Sequence, residues 1–252
     1  MDLKLNGKVA LVTGAATGIG AAIAEGLARE GCMVWIADRD GDGAAEVAAR
    51  FVAVGLEARS ITVDVTQAMA VRAAFARVGR ESGHLDVLVS NAGILKTGTF
   101  RDASAADWDS VLAVNLSGVV ACAREAAEMM VAQGSGRIVN IASVSAMRGG
   151  GSLGNVLYGT SKAAVVALTM GLARELGPSG ITVNAVAPAV ADTPMTRSSL
   201  TSEAVERIVS RIPLRRLASP ADIADAVVFL ASARAAFITG AVLPVDGGLL
   251  TT

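Results

Sequence analysis

Apolar positions fall into two alternating rhythms along the chain. Short runs rich in β-branched residues, KVALVTG, MVWIAD, ARSITVDV, LDVLVSNAG, GRIVNIAS, GITVNAVAP and GAVLPVDGG, are separated by alanine-rich stretches of helical length. These runs are apolar throughout rather than alternating, which predicts strands buried on both faces, as in a parallel sheet covered by helices on each side. The order predicts an α/β chain of seven strands and six helices, with no repeat or linker to divide residues 1–252. That is a single doubly wound, Rossmann-type domain, whose ligand crevice lies beyond the carboxyl ends of the strands. Segments rich in Gly, Asn, Asp, Ser and Thr fall at that edge: TGAATGIG, DRD, DV, NAG, NIAS and APAVADTP.

Composition narrows the function. With 52% hydrophobic and 18% charged residues the chain must fold around a large core. A formal charge of −1, with acids and bases interspersed, gives no electrostatic footprint for nucleic acid or an anionic membrane and points to a small-molecule partner. Cys32 and Cys122 lie in core-like segments and there is a single histidine, so neither a disulfide nor a metal site is expected. The stretch VALVTGAATGIGAAIA is interrupted by Thr and Gly and is followed by no cleavage region, and no unbroken apolar run reaches about 18 residues. A cytoplasmic location without a membrane span is the expectation.

After the first strand, Gly14, Gly18 and Gly20 open a helix whose apolar face includes Ile19, Ile23 and Leu27. The unpaired N–H groups of a helix start attract phosphate, and glycines let a pyrophosphate approach the backbone. The spacing G-x3-G-x-G differs from the common G-x-G-x-x-G. Asp38 ends the second strand, 18 residues after Gly20, where a carboxylate can accept hydrogen bonds from both ribose hydroxyls and repel a 2′-phosphate. NAD is therefore the expected cofactor, although Arg39 follows directly.

YGTSK holds the only tyrosine of the chain. It opens a proline-free segment of about six turns, so Tyr158 and Lys162, at i and i+4, share one helical face. A free phenol titrates near 10, too high for ready proton exchange at neutrality. An ammonium at roughly 4 Å would favour the phenolate by about 4 kcal/mol at an effective dielectric of 20, enough to lower its pKa substantially. Ser143, closing NIAS, could hydrogen-bond the same reacting oxygen.

TGAATGIG, NAG, VNLSG, NIAS, YGTSK and VDGG, in this order over nearly the whole chain, resemble the short-chain dehydrogenase/reductase family in its form of about 250 residues. The resemblance implies that Tyr158 is the general acid/base, that Lys162 lowers its pKa and binds the nicotinamide ribose, and that Ser143 polarises the carbonyl. It implies that Asn115 holds a water completing a proton relay with Lys162. It places Asp64 near the adenine, Asn91 and Gly93 along the adenosine half, and Thr193 at the nicotinamide carboxamide. Thr17, Ile19, Arg39, Val65, Ala92, Pro188 and Val190 complete the implied cofactor positions.

The chain departs from the family pattern in three places. Ser90 begins the NAG motif in place of Asn, Ala189 replaces the glycine after Pro188, and Ser143 lies 15 residues before Tyr158 where about 13 is usual. Spacing alone would choose Ser145; the N-x-x-S context chooses Ser143, with a longer MRGGGSLGN loop absorbing the excess.

The reaction implied is reversible hydride transfer between NAD(H) and the carbinol carbon of a secondary alcohol. Residues 190–215 are expected to cover the substrate. Leu95, Ser145, Met147, Leu153 and Met195 are expected to wall an apolar pocket for a compact aliphatic or alicyclic alcohol or ketone. Helices near 107–132 and 156–176 are apolar on more than one face, which predicts a symmetric oligomer, by the resemblance a homotetramer. Two alternatives are an NADPH-dependent 3-oxoacyl-carrier reductase, which would want a basic surface and no Asp38, and a non-catalytic NAD-binding or sensing protein, which would lack one of Ser143, Tyr158 and Lys162.

Overall fold

Successive side chains of a strand point to opposite faces of the sheet, and here both faces are dry. In β1 (Val9–Thr13), Ala10 and Val12 belong to one core and Val9 and Leu11 to the other. The structure, a computed structural model, describes residues 2–151, 153, 155–198 and 200–251. The remaining strands are β2 (Met33–Asp38), β3 (Ala58–Thr62), β4 (Val87–Ser90), β5 (Gly136–Ile141), β6 (Ile181–Pro188) and β7 (Val242–Val245). They form one sheet in the order β3-β2-β1-β4-β5-β6-β7, every pairing parallel. The doubly wound α/β domain expected from the apolar runs is the fold.

The helices are α1 (Gly18–Arg29), α2 (Gly41–Ala53), α3 (Ala68–Ser82), α4 (Ala105–Leu112), α5 (Gly118–Gln133), α6 (Ser145–Arg148), α7 (Val156–Leu176), α8 (Pro194–Arg197), α9 (Ser202–Val209) and α10 (Pro220–Ala231). One face of the sheet is covered by α1, α2 and α10, through Ile23, Leu27, Val47, Phe51, Ile223 and Val227. The other is covered by α3, α5 and α7, through Phe75, Val78, Cys122, Met130, Ala173 and Leu176. Each fully buried Leu, Ile or Phe contributes about 1.5–3 kcal/mol, so these two layers carry the stability of the sheet that holds the site. The two thiols act as core filler, and burial pushes Cys32 and Cys122 up to about 12.

Among the described residues there are ten α-helices rather than six. The additional ones are short pieces inside connections, and three of the four start on a side-chain cap. Ser104 and Asp107 form a capping box at α4, Thr193 caps α8 and Thr201 caps α9. Between α4 and α5 the chain makes a π-helical turn over Ala113–Ser117, where Gly118 N–H reaches back to the Ala113 carbonyl.

By length and composition, Ala105–Gln133 and Val156–Ser179 are apolar enough to cross a membrane, with mean hydropathy 1.2 and 1.4. In the fold part of this surface is spent on the sheet, where Cys122, Ala126, Met130, Ala173 and Leu176 pack against Leu88, Ile138 and Val183. Between α5 and α7 a second, outward-facing apolar groove of about 500 Å³ runs past Val120, Ala127, Val131, Leu168 and Leu172.

β1 pairs with β2 on one side and β4 on the other, so the chain winds away in both directions from this point. A crevice opens at the carboxyl ends of the two central strands, as strand order requires.

Candidate active site

The crevice is a cavity of about 400 Å³ with two chemically different ends. At the first, β1 runs into Gly14 and Gly18, both at positive φ (64° and 58°), and then α1. A Cβ on Gly14 would lie 2.7 Å from Ala92 Cα, and one on Gly20 would collide with the Gly14 carbonyl oxygen and lie 2.9 Å from Ala15 Cα. Only glycine allows this turn. Asn91 fastens it from the neighbouring strand, its Nδ2 donating to Thr13 O at 3.0 Å and Gly14 O at 2.9 Å, while Asn91 and Ala92 N–H both donate to Thr13 Oγ1 at 3.1 Å.

The start of α1 is left electrically open. Thr17 occupies the cap position without a side-chain capping bond, and no acid stands in the first turn. By contrast α2, α4, α7, α9 and α10 are all capped by side chains, from Asp40, Ser104, Asn155, Thr201 and Ser219. Thr17, Gly18, Ile19 and Gly20 line the cavity, so the positive end of α1 faces it.

Asp38 closes this end. Its Oδ2 accepts from Ala16 N–H and its Oδ1 from Asp40 N–H, each at 3.0 Å, which fixes the carboxylate in the wall and leaves a lone pair on each oxygen for a ligand. Beside it Asp64 accepts from Thr66 N–H at 2.9 Å and Thr66 Oγ1 at 2.8 Å; these bonds, with a smaller pull from Arg39, hold its carboxyl below the usual range.

The other end is built from β5 and α7. Asn155 starts α7 by accepting from Tyr158 N–H at 3.1 Å, which sets the phase that turns Tyr158 and Lys162 to the cavity. Lys162 Nζ donates to the Ile141 carbonyl at 2.8 Å and stands 5.9 Å from the centroid of the Tyr158 ring. Ser143, just beyond β5, lines the cavity with its Oγ accepting from Ser145 N–H at 3.1 Å. Both serines weighed from the sequence line the cavity, and Ser143 is the one whose side chain opposes the upward shift of the phenol. A Cβ on Gly151 would stand 2.9 Å from Ser145 Oγ, which puts that hydroxyl beside the following loop.

The electrostatics differ from the sequence expectation in one respect. Burial pushes the Tyr158 phenol above its ordinary value, with the Ser143 hydrogen bond opposing it, and no downward pull from Lys162 decides the outcome. Burial also holds Lys162 down to about 8. The reason is that both groups lie in the same low-dielectric pocket, where desolvation disfavours phenolate and ammonium alike.

Asn115 lies behind the cavity rather than on it. Fully buried in the π-helical turn, it donates from Nδ2 to Ile94 O at 3.0 Å and Ser161 Oγ at 3.1 Å, and its Oδ1 accepts from Ile94 N–H at 2.8 Å. Its side chain therefore ties the loop after β4 to α7, leaving no side-chain donor spare. A Cβ on Gly93 would meet Asn115 Oδ1 at 3.4 Å and Lys162 Nζ at 3.5 Å, so Asn115 is adjacent to the lysine without touching the ligand space.

Gly14, Thr17, Gly18, Ile19, Gly20, Asp38, Arg39, Asp64, Val65, Asn91, Ala92, Gly93, Pro188, Val190 and Thr193 all line the cavity, as do Ser143, Tyr158 and Lys162. Of the expected substrate walls, Leu95, Ser145, Leu153 and Met195 are there, but Met147 is not. It is 48% exposed on α6, and the next residue, Arg148, is exposed too but reaches the lining. The segment 190–215 divides: Val190, Ala191 and Thr193 to Thr196 contribute to the lining, whereas α9 turns Ile208, with Ile212 beyond it, into a small core against Val144 and Leu249. Ala189 takes no left-handed conformation and donates its N–H to Val245 O at 3.1 Å, so the missing glycine is not strained. Ser90 sits opposite Asn140 in the β4–β5 register, and Ser90 Oγ and Asn140 Oδ1 are both buried without a hydrogen-bond partner.

The lining residues that the sequence reading did not name include Val63, Thr66, Ile94, Val114, Arg148, Gly151 and Leu249. Leu249 directly follows the VDGG turn, which was a usable signal; the others depend on how their connections fold.

This donor set fits a dinucleotide: an uncapped helix start for the pyrophosphate, Asp38 for ribose hydroxyls, and glycines where a Cβ would fill the wall. A family model described as "Enoyl-(Acyl carrier protein) reductase" matches residues 14–250. The chain is 40% identical over 250 residues to 3-oxoacyl-[acyl-carrier-protein] reductase FabG of Aquifex aeolicus, covering 99% of this chain and 100% of that one. It is 42% identical over 242 residues to cis-4-hydroxycyclohexanecarboxylate dehydrogenase of Sinomonas cyclohexanicum, covering 96% of each. Among solved structures, a gluconate 5-dehydrogenase of Burkholderia cenocepacia in complex with NADP and tartrate superposes with a TM-score of 0.94 at 34% identity, covering 100% of this chain and 98% of that one.

Proposed function

Because the chain belongs to the short-chain dehydrogenase/reductase family of nicotinamide-dependent oxidoreductases, we propose that it oxidises a secondary alcohol to a ketone with NAD, and reverses the reaction with NADH. The observation that carries this reading is that Ser143, Tyr158 and Lys162, the last one helical turn from the tyrosine, line the same cavity as the open start of α1.

NAD, when bound, supplies the hydride acceptor. Tyr158 Oη, as the phenolate that the Lys162 ammonium favours against burial, takes the proton of the substrate hydroxyl, and in the reverse direction the phenol returns it to the ketone oxygen. Ser143 Oγ donates a hydrogen bond to that same oxygen and stabilises the charge that develops there. Lys162, anchored on the Ile141 carbonyl, offers its other Nζ protons to the nicotinamide ribose and to the phenol. Asn115 holds the loop after β4 against α7 and so keeps Lys162 in place; a water held by this residue in a relay to Lys162 extends the same reading. Gly14 to Gly20 bind the pyrophosphate, and Asp38 selects NAD over NADP.

The likeness to FabG and the description of the matching family model favour a second reading, an NADPH-linked reductase of carrier-bound 3-oxoacyl groups. Asp38, fixed in the wall where a 2′-phosphate would lie, favours the first. A screen of absorbance at 340 nm, with NAD and NADP against secondary alcohols and with NADPH against a 3-oxoacyl thioester, separates the two. We expect NAD-linked alcohol oxidation that falls by about 10²–10⁴-fold in Tyr158→Phe. A variant with wild-type turnover removes the phenol from the mechanism, and activity confined to NADPH and the thioester supports the second reading.

The apolar groove between α5 and α7 supports a homotetramer in which copies cover each other's helices, to be checked by the mass in solution. We place the enzyme in the cytoplasm, consistent with its dependence on a diffusible dinucleotide.

A further inference from the structure

The reacting end of the cavity carries a charge that the chemistry above leaves unused. Arg148, the last residue of α6, lines the cavity beside Ser145 and Gly151. Two other basic residues lie one position outside the lining, and each is already held by a carboxylate: Lys96 by Asp107 at 2.5 Å and Arg197 by Asp192 at 2.6 Å. Among the described residues Arg148 has no such partner. The carboxylates that line the cavity are Asp38, which ends β2, and Asp64, which follows β3, both at the opposite end.

The backbone at Arg148 lies well along the sheet from the wall and turn assigned to the dinucleotide's charged groups. Its helix follows β5, three strands from β2 and two from β1 in the sheet order. At about 4.8 Å per strand this is roughly 14 Å from the Asp38 wall and roughly 10 Å from the turn that takes the pyrophosphate. Its seat beside the reacting groups is instead built in. The backbone after Arg148 lies directly on α7: a Cβ at Gly159 would collide with Gly150 N and lie 2.8 Å from Gly149 C. Gly150 N–H in turn donates to Ser145 O at 3.1 Å. The residue following Arg148 thus rests against the residue following Tyr158.

We propose that Arg148 determines specificity by pairing with a carboxylate on the substrate, so that the preferred substrate is a hydroxy acid or its keto acid. The carbinol would sit at Tyr158 and Ser143, the carboxylate at Arg148, and a short carbon spacer against Leu95 and Leu153. This rests on the reading of Tyr158 as the base that takes the hydroxyl proton. A guanidinium presents two parallel N–H groups that match the two oxygens of a carboxylate.

The test compares kcat/KM, with NAD, for cyclohexanol, 3- and 4-hydroxycyclohexanecarboxylate and their methyl esters, in wild type, Arg148→Met, Arg148→Lys and, as a control cation outside the cavity, Arg101→Met. Wild type and Arg101→Met should prefer an acid over its ester by about tenfold or more, the effect of one charge-assisted hydrogen bond, and the preference should shrink with added salt. In Arg148→Met the ratio should collapse toward one through KM, and Arg148→Lys should restore part of it. A second readout is the quenching of NADH fluorescence by cyclohexanecarboxylate, which should bind the wild-type NADH complex and bind Arg148→Met about tenfold more weakly. Turnover of neutral alcohols with no preference for acids, or an acid-to-ester ratio that survives Arg148→Met, overturns the proposal while leaving the oxidoreductase reading intact. No turnover of any compound, combined with carboxylate binding that needs Arg148, overturns that reading and leaves the anion site standing. Weakening of NADH binding in Arg148→Met to the same degree as carboxylate binding assigns the residue to the dinucleotide and overturns the proposal.

Discussion

The two ends of the cavity are made of different material. Around α1 the wall is backbone: Gly14, Gly18 and Gly20 hold their shape because no Cβ intervenes, and even Asp38 is fixed by main-chain N–H groups. Around α7 the wall is side chain, with Ser143, Tyr158, Lys162 and Arg148 set on elements that the core has already placed. A backbone wall recognises what every dinucleotide shares; a side-chain wall can change its substrate without disturbing the fold.

A single methyl group is the strongest way to break this contrast. Gly20→Ala drives a Cβ into the Gly14 carbonyl oxygen and to 2.5 Å from Asn91 Nδ2, neither of which can retreat without opening the turn. We expect NAD affinity to fall by at least about tenfold and stability by about 1–3 kcal/mol, measured by NAD titration and denaturant unfolding. Wild-type affinity in this variant would show that the turn does not bind the dinucleotide.

Asp38→Ala tests the electrostatic half of the same wall. Removing the carboxylate relieves repulsion of a 2′-phosphate and leaves Arg39 beside it. The NADP-to-NAD ratio of kcat/KM should rise by about tenfold or more, and a ratio that does not move denies Asp38 its role in selection.

At the other end, the buried amine leaves a pH signature. Lys162 is held down to about 8 in the folded chain against 10.5 when free. Between those values the unfolded chain binds a proton that the folded chain has released, so this group makes stability rise with pH across that window. Lys162→Met should flatten the rise in unfolding midpoints between pH 8 and 10; an identical slope in the variant would refute the assignment. The phenol acts in the opposite sense: because its folded value is raised, its contribution is lost as pH climbs past the ordinary value near 10.

The smallest effect is expected from a second methyl, Gly151→Ala. It meets only Ser145 Oγ at 2.9 Å, a hydroxyl that can rotate away, so stability should change by no more than about 0.5 kcal/mol. A collapse on thermal unfolding would mean that this loop is as rigid as the glycine turn.

What could be read from the sequence follows the same division. The strands were legible because parallel strands buried on both faces must be apolar without interruption, and the glycine turn because no other residue makes it. Tyr158 and Lys162 were legible because a proline-free helix fixes what lies four residues apart. The phenol's upward shift was not, since a sequence shows which charges are neighbours but not how much water they lose. Met147 and Arg148 could not be told apart as cavity residues, since both are exposed on a single helical turn and only Arg148 reaches the lining. Nor was the environment of Asn115 legible, because the apolar spacing through VLAVNLSGVV gives no sign of a change from α to π.

That wide turn at Ala113–Ser117 also governs which changes in length the chain can accept. Each residue advances a helix by about 100°, so the extra one acts as a phase shifter between Val111, buried on one side of it, and Cys122, Ala126 and Met130 on the other. Deleting a single residue here would let the helix close seamlessly, yet would swing one flank out of the core. The connection between β4 and β5 therefore tolerates insertions and deletions at its loops but not in this stretch, where residue count is as tightly constrained as residue identity.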